Sequence, residues 1–305
     1  MAMPFVFFPV RVAGTRAVGR STVRITFVTA VATAESGTGT GARAWTGARA
    51  AGGCGLDALA SGGRDQRVKL FLPHPHQAEP VLPLDSGENW YPDWRAADPA
   101  ERAVMRSYTI REHRPGPDGG EVDIDFVLHG HEDGSGGPAT TWAARAAEGD
   151  RAVLLGPVEE DNGGVDFRPP PDTSAVLLAG DETALPALEG ILAALEPGRT
   201  ARVVVRVPSA DDIRDLPTRA DAEVVWLVGD GRALVDAVRE GAVPSEPEDA
   251  YAWVAGEAAA VREVRRHLVR ERGMPRRRVT FTGYWRRGAS EEQLLEEAVA
   301  AAASD

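Results

Sequence analysis

Arg106-Ser107-Tyr108-Thr109-Ile110-Arg111 alternates side chains in the manner of a strand, which sends Arg106, Tyr108 and Ile110 to one face. A forked cation and an aromatic ring then share a surface. Further on, Gly137-Pro138-Ala139-Thr140-Thr141-Trp142-Ala143 places glycine, then a proline of the kind tolerated in a first helical turn, then hydroxyl residues. This is the composition of a helix N-terminus, whose unpaired N–H groups and positive dipole end suit a pyrophosphate. Arg106 would add paired donors for the same oxygens. The Tyr108 ring can cover one face of a fused aromatic system, and the Thr109 hydroxyl can reach its polar edge. Together these residues describe a site for a dinucleotide with a flat head.

The elements that must hold this site are short strands. Val122 to His129 reads as a strand that runs through Gly130 and further glycines into the helix start. Phe5 to Val12, Thr22 to Val28, Asp65 to Leu72 and Arg151 to Pro157 read the same way, the third stopped by Pro73. Short strands with turn signals and one helix predict an antiparallel barrel. Ala30 to Gly63 is rich in Gly, Ala and Thr with almost no large apolar residue, and reads as a partly disordered loop insertion. Asn89 to Arg102 reads as linker-like. His74-Pro75-His76 alternates two histidines, but no carboxylate or third histidine stands at a ligand-like spacing, so no metal is expected.

After Pro169-Pro170-Pro171 the pattern changes to strand, helix, strand. Ala175 to Ala179, Val203 to Val207, Val224 to Val228 and Tyr251 to Ala255 are apolar runs of the kind buried on both faces. Helical stretches at Leu185 to Leu195, Ala233 to Arg239 and Ala258 to Arg270 fall between them. This predicts a doubly wound parallel sheet. Residues 290–303 form a capped amphipathic pattern, with Ser290 as N-cap and Gln293 three residues on. The expected organisation is a barrel domain over 1–168, with 30–63 as a low-complexity insertion, and an α/β domain over 172–305 with the terminal helix.

Composition narrows the partners. With 43% hydrophobic and 26% charged residues in 305, the chain has the balance of a soluble globular protein of two domains. A formal charge of −12 argues against nucleic acid, leaving only a local basic patch for any anionic ligand. One cysteine, Cys54, excludes an internal disulfide and makes a thiol nucleophile or cysteine-bound metal improbable. Met1 to Val10 lacks a charged lead and contains two prolines, so it is not read as a signal peptide. No run approaches spanning length, and a cytoplasmic monomer without membrane insertion is expected.

At this point the chain resembles the siderophore-interacting, ferric-siderophore-reducing flavoproteins of the ferredoxin-reductase-like superfamily. The Arg-x-Tyr-Thr strand, the Asp125-Phe126-Val127-Leu128-His129-Gly130 strand end and the Gly-Pro-Ala-Thr-x-Trp-Ala turn carry the likeness. Gly180-Asp181-Glu182-Thr183-Ala184-Leu185-Pro186 and Gly283-Tyr284-Trp285-Arg286-Arg287-Gly288 extend it. The resemblance implies an N-terminal flavin-binding barrel and a C-terminal nicotinamide-binding sheet. It implies FAD held by Arg106, Ser107, Tyr108, Thr109, Asp125, His129, Gly130 and the turn from Gly137 through Pro138, Ala139, Thr140 and Thr141 to Trp142. Electrons would pass from NAD(P)H through FAD to siderophore-bound Fe(III), releasing Fe(II), with the cofactor rather than an acid–base residue supplying the chemistry.

Gly180, Asp181, Glu182, Thr183 and Ala184 lie between the first parallel strand and its helix, where open sheets bind ligands. Gly256 and Glu257, ending the fourth, offer a second backbone approach for the nicotinamide dinucleotide. Two acids in place of a Gly-Thr-Gly turn would repel a pyrophosphate, which puts the donor in question. Ser209-Ala210-Asp211-Asp212 follows the second parallel strand, and acids there favour a free ribose hydroxyl, so NADH is preferred to NADPH. The ferric siderophore would meet Lys69, at the end of its strand, with Arg286 and Arg287. The other readings are a non-catalytic flavin-bearing carrier of ferric chelates, and a ferredoxin-linked or general flavin reductase.

Overall fold

Alternating apolar residues build the first sheet. The computed structural model describes residues 5–30, 54–130, 136–229, 232–241, 246 and 248–289. Strands β1 (Phe5–Ala17), β2 (Thr22–Thr29), β3 (Arg67–Leu72), β4 (Val104–Arg114), β5 (Glu121–Val127) and β6 (Arg151–Pro157) close an antiparallel barrel in the order β1-β2-β5-β4-β3-β6. Phe8, Ile25, Phe27, Leu70, Ile124 and Phe126 fill its interior. The register sets Leu70 opposite Arg106, Lys69 opposite Ser107 and Val68 opposite Tyr108. Helix α1 (Trp90–Ala96) and helix α2 (Pro138–Arg145) belong to the same unit.

Two expectations for this unit need correction. Asn89 to Arg102 is not a plain linker. In α1, Trp90 meets Phe7 and Phe71 edge-on at 5.3 and 5.8 Å, Trp94 is buried, and its indole N–H donates to the Ala103 carbonyl at 3.0 Å. Phe7 and Phe71 alternate with the inward Phe8 and Leu70, so α1 covers a face of the barrel wall that water would otherwise wet. The insertion also ends earlier than its composition implied. Residues 31–53 lie outside the described residues, but Leu56 and Leu59 are core residues, each worth about 1.5–3 kcal/mol of burial. The Leu56 N–H donates to the Thr29 hydroxyl at 2.9 Å and the Asp57 N–H to the Gly119 carbonyl at 3.0 Å.

The outward side of β5 is charged and paired. Val122, Ile124 and Phe126 face in, while Asp123 and Asp125 face β2 and β4 partners. Arg24 grips Asp125 with two bonds of 2.5 and 2.8 Å, and Arg114 grips Asp123 with two of 2.9 Å. Burial works to raise the Asp123 pKa, but the Arg114 fork and the Thr26 hydroxyl outweigh it and hold the carboxyl below its ordinary value.

The second unit follows the apolar runs. Strands β7 (Ala175–Gly180), β8 (Thr200–Val207), β9 (Asp221–Val228), β10 (Ala250–Glu257) and β11 (Val279–Trp285) form a sheet in the order β11-β10-β7-β8-β9, every neighbouring pair parallel. Helix α3 (Leu185–Ala194) packs on Val176, Leu178 and Val203 at one face. Helices α4 (Arg232–Glu240) and α5 (Ala258–Arg266) pack on Leu177, Ala179 and Val204 at the other. This is the doubly wound arrangement expected, with strand order reversing between β7 and β10. α5 continues into a π-helical turn, His267–Glu271. The fifth strand was not foreseen: β11 is an edge strand with threonines, a glycine and an exposed Phe281, so it lacks the continuous apolar run of its neighbours. The expected helix over 290–303 lies outside the described residues.

The chain divides into two compact units, Met1–Ala17 with Val23–Gly164 and Val18–Thr22 with Val165–Asp305. Among the described residues, no helix is long and apolar enough to cross a membrane. Because the Asp125 side chain is about 1% exposed, Arg24→Ala leaves a buried carboxylate without its fork and lowers stability by about 3 kcal/mol in urea unfolding. The double variant Arg24→Met/Asp125→Leu recovers most of that loss, since an apolar pair leaves no charge to desolvate.

Candidate functional site

In the barrel unit, the site is assembled by the packing of α2 against β4 and β5. Gly137 is the N-cap of α2, contributes no side-chain cap, and Pro138 occupies the first turn. Gly137 is exposed, and among the described residues nothing lies within 4 Å of where its Cβ would stand. On β4, Tyr108 is half-buried, its ring 4.4 Å from Phe126. Phe126 in turn lies 5.9 Å from Trp142, and Trp142 stacks on Phe27 at 6.3 Å with 7° between planes. Helix and strand are therefore locked by aromatic contacts behind the site, leaving the helix start and one part of Tyr108 for a ligand. An uncapped helix start beside a strand bearing an arginine and a partly exposed tyrosine suits an anionic aromatic dinucleotide.

The expected residues of this site fall into distinct places. An Arg106 Nη1–H donates to the Met105 carbonyl at 2.7 Å. Ser107 is exposed and its hydroxyl accepts from Lys69 Nζ at 2.6 Å, while Thr109 is buried. Lys69 thus lies in the middle of β3, not at its end, facing outward across from Ser107. His129 is exposed and Gly130, at φ 65°, begins the turn toward α2. The Thr140 hydroxyl donates to the Val127 carbonyl at 3.4 Å and the Thr141 hydroxyl to that of Gly136 at 3.5 Å. Ala139 and Trp142 are buried, and Asp125 is engaged by Arg24.

The sheet unit concentrates its polar chemistry at the carboxyl ends of β7 and β10, the point where strand order reverses. Asp181, 2% exposed, follows β7 directly. Its Oδ1 accepts from the Thr183 N–H at 3.0 Å and the Thr183 hydroxyl at 2.5 Å. Its Oδ2 accepts from the Glu257 N–H at 2.7 Å and Trp285 Nε1 at 2.9 Å. One carboxylate ties the ends of β7, β10 and β11. Gly256 is demanded by this: it holds φ 138°, and a Cβ there would come within 2.5 Å of Asp181 Oδ2. Gly180 is equally constrained, since its Cβ would lie 2.6 Å from that of Ala184.

The two acids are not the bare repulsive pair that the sequence implied. Asp181 is consumed by four donors. Glu182, also 2% exposed, accepts from Arg206 Nη2 at 2.9 Å, and Arg206 Nη1 donates to the Gly229 carbonyl at 3.0 Å. Burial, followed by the negative charge of Asp181, pushes the Glu182 carboxyl up to about 7 against the pull of Arg206. Glu257 is also occupied: its Oε2 caps α5, accepting from the N–H groups of Ala259 and Ala260 at 2.7 and 3.0 Å. A cavity of about 430 Å³ opens at this edge, lined by Asp181, Arg206, Glu257, Glu263, Trp285 and Arg287 with apolar Leu234 and Val235. Arg287 thus reaches the cavity, whereas Arg286 joins a backbone bridge with Ala289. Of the acids after β8, Asp212 is buried and accepts from the Ser21 N–H at 2.8 Å, so it is not presented to a ribose.

Two residues at this edge escaped the sequence reading. Arg206 was absorbed into an apolar strand run, although a single cation within Val203 to Val207 is itself a signal of a buried partner. Trp285 stood in a quoted motif without a role; its indole N–H is a donor that a buried acceptor requires. Among the described residues, no group of His, Cys, Asp and Glu could hold a metal ion. Asp181→Asn turns an amide toward donors and is expected to cost about 2–4 kcal/mol. Of the seven tryptophan indole N–H signals in a nitrogen-15 spectrum, that of Trp285 should move and lose its protection from exchange.

Comparison with known proteins places these two units. Residues 50–161 match the siderophore-interacting FAD-binding domain, and residues 173–288 match the siderophore-interacting protein domain. The chain is 33% identical over 235 residues to the ferric vibriobactin reductase ViuB of Vibrio cholerae, covering 75% of this chain and 80% of that protein. It is 30% identical over 241 residues to the NADPH-dependent ferric-chelate reductase of Escherichia coli, covering 77% and 84%. The crystal structure of the siderophore-interacting protein SipS from Aeromonas hydrophila superposes with a TM-score of 0.71 at 27% identity, over 99% of this chain and all of that one. With an FAD-binding domain in the barrel, the expected parallel sheet after it and relatives of this identity along most of its length, the chain belongs to the siderophore-interacting protein family.

Proposed function

We propose that this protein is a ferric-siderophore reductase that takes electrons from NAD(P)H through FAD and delivers them to siderophore-bound Fe(III), releasing Fe(II). The observation that carries the reading is the uncapped, open start of α2 packed against the strand bearing Arg106 and Tyr108. Two relatives along most of the chain are named ferric reductases, which supports the same reaction class.

FAD, when bound, supplies the conversion of a two-electron hydride donor into single-electron delivery. The chain's own residues bind and orient. Arg106 and the start of α2 from Gly137 to Thr141 would hold the pyrophosphate, with the Gly137, Ala139 and Thr140 N–H groups as backbone donors, since Pro138 has none and that of Thr141 bonds the Gly137 carbonyl; helix dipole and guanidinium act on the same charge. Tyr108, braced by Phe126, covers one face of the ring system, with Ser107 and Thr109 at its polar edge. His129 and Gly130 shape the turn beside the adenosine half. Lys69, Arg286 and Arg287 are the cations offered to an anionic ferric chelate, whose oxygen donors suit Fe(III) better than Fe(II). Both nicotinamide dinucleotides remain in the proposal. Of the two acids after β8 that favour NADH, Asp211 is exposed and Asp212 is turned inward.

One observation favours a second reading. Asp181 takes the Glu257 N–H and Glu257 takes two amides of α5, so donors that a nicotinamide pyrophosphate would use are already engaged. A ferredoxin-linked reductase or a flavin-bearing carrier fits that arrangement. Anaerobic visible spectra separate the readings. Bleaching of the flavin by NADH or NADPH, then reoxidation by a ferric siderophore with Fe(II) trapped by a chelator, is expected. A flavin that no nicotinamide bleaches points to the second reading, and a protein unable to take up FAD defeats both. Arg106→Ala should weaken FAD retention roughly tenfold to a hundredfold, the share of a charge-assisted hydrogen bond, as read by flavin fluorescence after dialysis. Undiminished occupancy would remove Arg106 from the site.

A further inference from the structure

We propose that Arg206 is a shared cation, held by Glu182 and handed to a phosphate group entering the cavity, with Glu182 taking up a proton from solvent in exchange. The inference rests on reading this sheet edge as the donor site. Arg206 lines the cavity on one side and bonds Glu182 Oε2 at 2.9 Å on the other. Glu182 lies behind it, 2% exposed. Geometry thus places the guanidinium between a buried carboxylate and the space a ligand would fill.

The usual phosphate-binding device of such an edge is closed to a ligand. The start of α5 is capped by Glu257, whose carboxylate occupies the Ala259 and Ala260 amides. Asp181 lines the cavity with all its bonding directed at Thr183, Glu257 and Trp285. Among the described residues, the cations on the lining are Arg206 and Arg287, and Glu263 on α5 opposes them. An anion that recruits Arg206 here must compete with Glu182 for it.

Glu182 is suited to yield. Asp181 adjoins it in the chain, Arg206 reaches it from β8, and Asp212 acts on it from the turn after β8. Burial and the charges of Asp181 and Asp212 favour the neutral carboxyl, a backbone hydrogen bond works against them, and losing Arg206 to a ligand removes a charge that favours the ionised form. The sign follows: the carboxyl is pushed up to about 7, so above that pH it is ionised and holds Arg206, and binding of phosphate must import a proton. Affinity therefore falls as pH rises above about 7, by an amount approaching tenfold per pH unit. A 2′-phosphate monoester, with a second pKa of about 6, is already dianionic there, and a pyrophosphate esterified at both ends has no proton to lose in this range, so the ligand contributes little to the trend.

The test is isothermal titration calorimetry of the flavin-loaded full chain between about pH 7 and about pH 8.5, in buffers of different ionisation enthalpy that count protons. Adenosine 2′,5′-bisphosphate probes a 2′-phosphate and ADP-ribose a pyrophosphate; the ligand that draws protons identifies which phosphate Arg206 takes. Expected is uptake of roughly half a proton or more per ligand with weakening affinity as pH rises. Glu182→Gln should bind more tightly, with no uptake and a flat pH profile, and Arg206→Gln should lose both affinity and uptake. The wild-type proton count stands even where a variant folds poorly. Binding without proton uptake and without pH dependence overturns the exchange while leaving this edge as a nucleotide site, and so does uptake that persists in Arg206→Gln. If neither probe nor NADH nor NADPH binds, the exchange and the reading of this edge as donor site fall together.

Discussion

The carboxylate of Asp181 is the constraint on which the sheet unit depends. A buried acid must find donors or lose its charge, and here four donors from three chain segments converge on it. The cost of burying the charge is met only with β7, β10 and β11 in register, so the carboxylate acts as a check on correct assembly. Gly256 and Gly180 follow from it and from the turn it caps: each stands where a Cβ would strike a neighbour. Glycines at a switch point are commonly read as openings for a ligand's phosphate. In this chain Gly256 makes room for the protein's own carboxylate.

The same economy runs through both units. Asp123 and Asp125 on β5 are gripped by Arg114 and Arg24, Glu182 by Arg206, and Glu189 by Arg214 at 2.5 Å. The two pairs on β5 are forked and satisfy several lone pairs at once, which a lysine could not supply; Arg206 instead divides its fork between Glu182 and the Gly229 carbonyl. The apolar faces supply the stability, and the pairs choose between otherwise similar arrangements.

Much of this was legible in the sequence. The alternation along β4 and β5 and the Gly-Pro start of α2 foretold the barrel, the helix and their adjacency, because those signals are local. The four apolar runs foretold a parallel sheet for the same reason. What escaped depends on partners distant in the chain. β11 is half-exposed at an edge, so its residues carry no periodic apolar signature, and Trp285 gains its role only from Asp181. Leu56 and Leu59 were lost in a low-complexity stretch whose average composition hid two core anchors. Acids at residues 181 and 182 read as repulsive because a sequence shows charges without the donors that meet them.

That last point bears on how an acidic protein handles anionic ligands. A formal charge of −12 describes the field at a distance, where screening over about 8 Å at physiological salt already blunts it. Near a site, what matters is which charges are left uncompensated. At the β7 and β10 ends, Asp181 and Glu257 spend their charge on backbone and side-chain donors, and the Glu182 carboxyl is pushed up to about 7. At the start of α2, the N-cap Gly137 brings no side-chain cap. The two edges therefore treat anions differently: the barrel unit offers ready donors, whereas the sheet unit must exchange one partner for another. A permanently held cofactor suits the first arrangement. A ligand that has to bind and leave in each turnover suits the second.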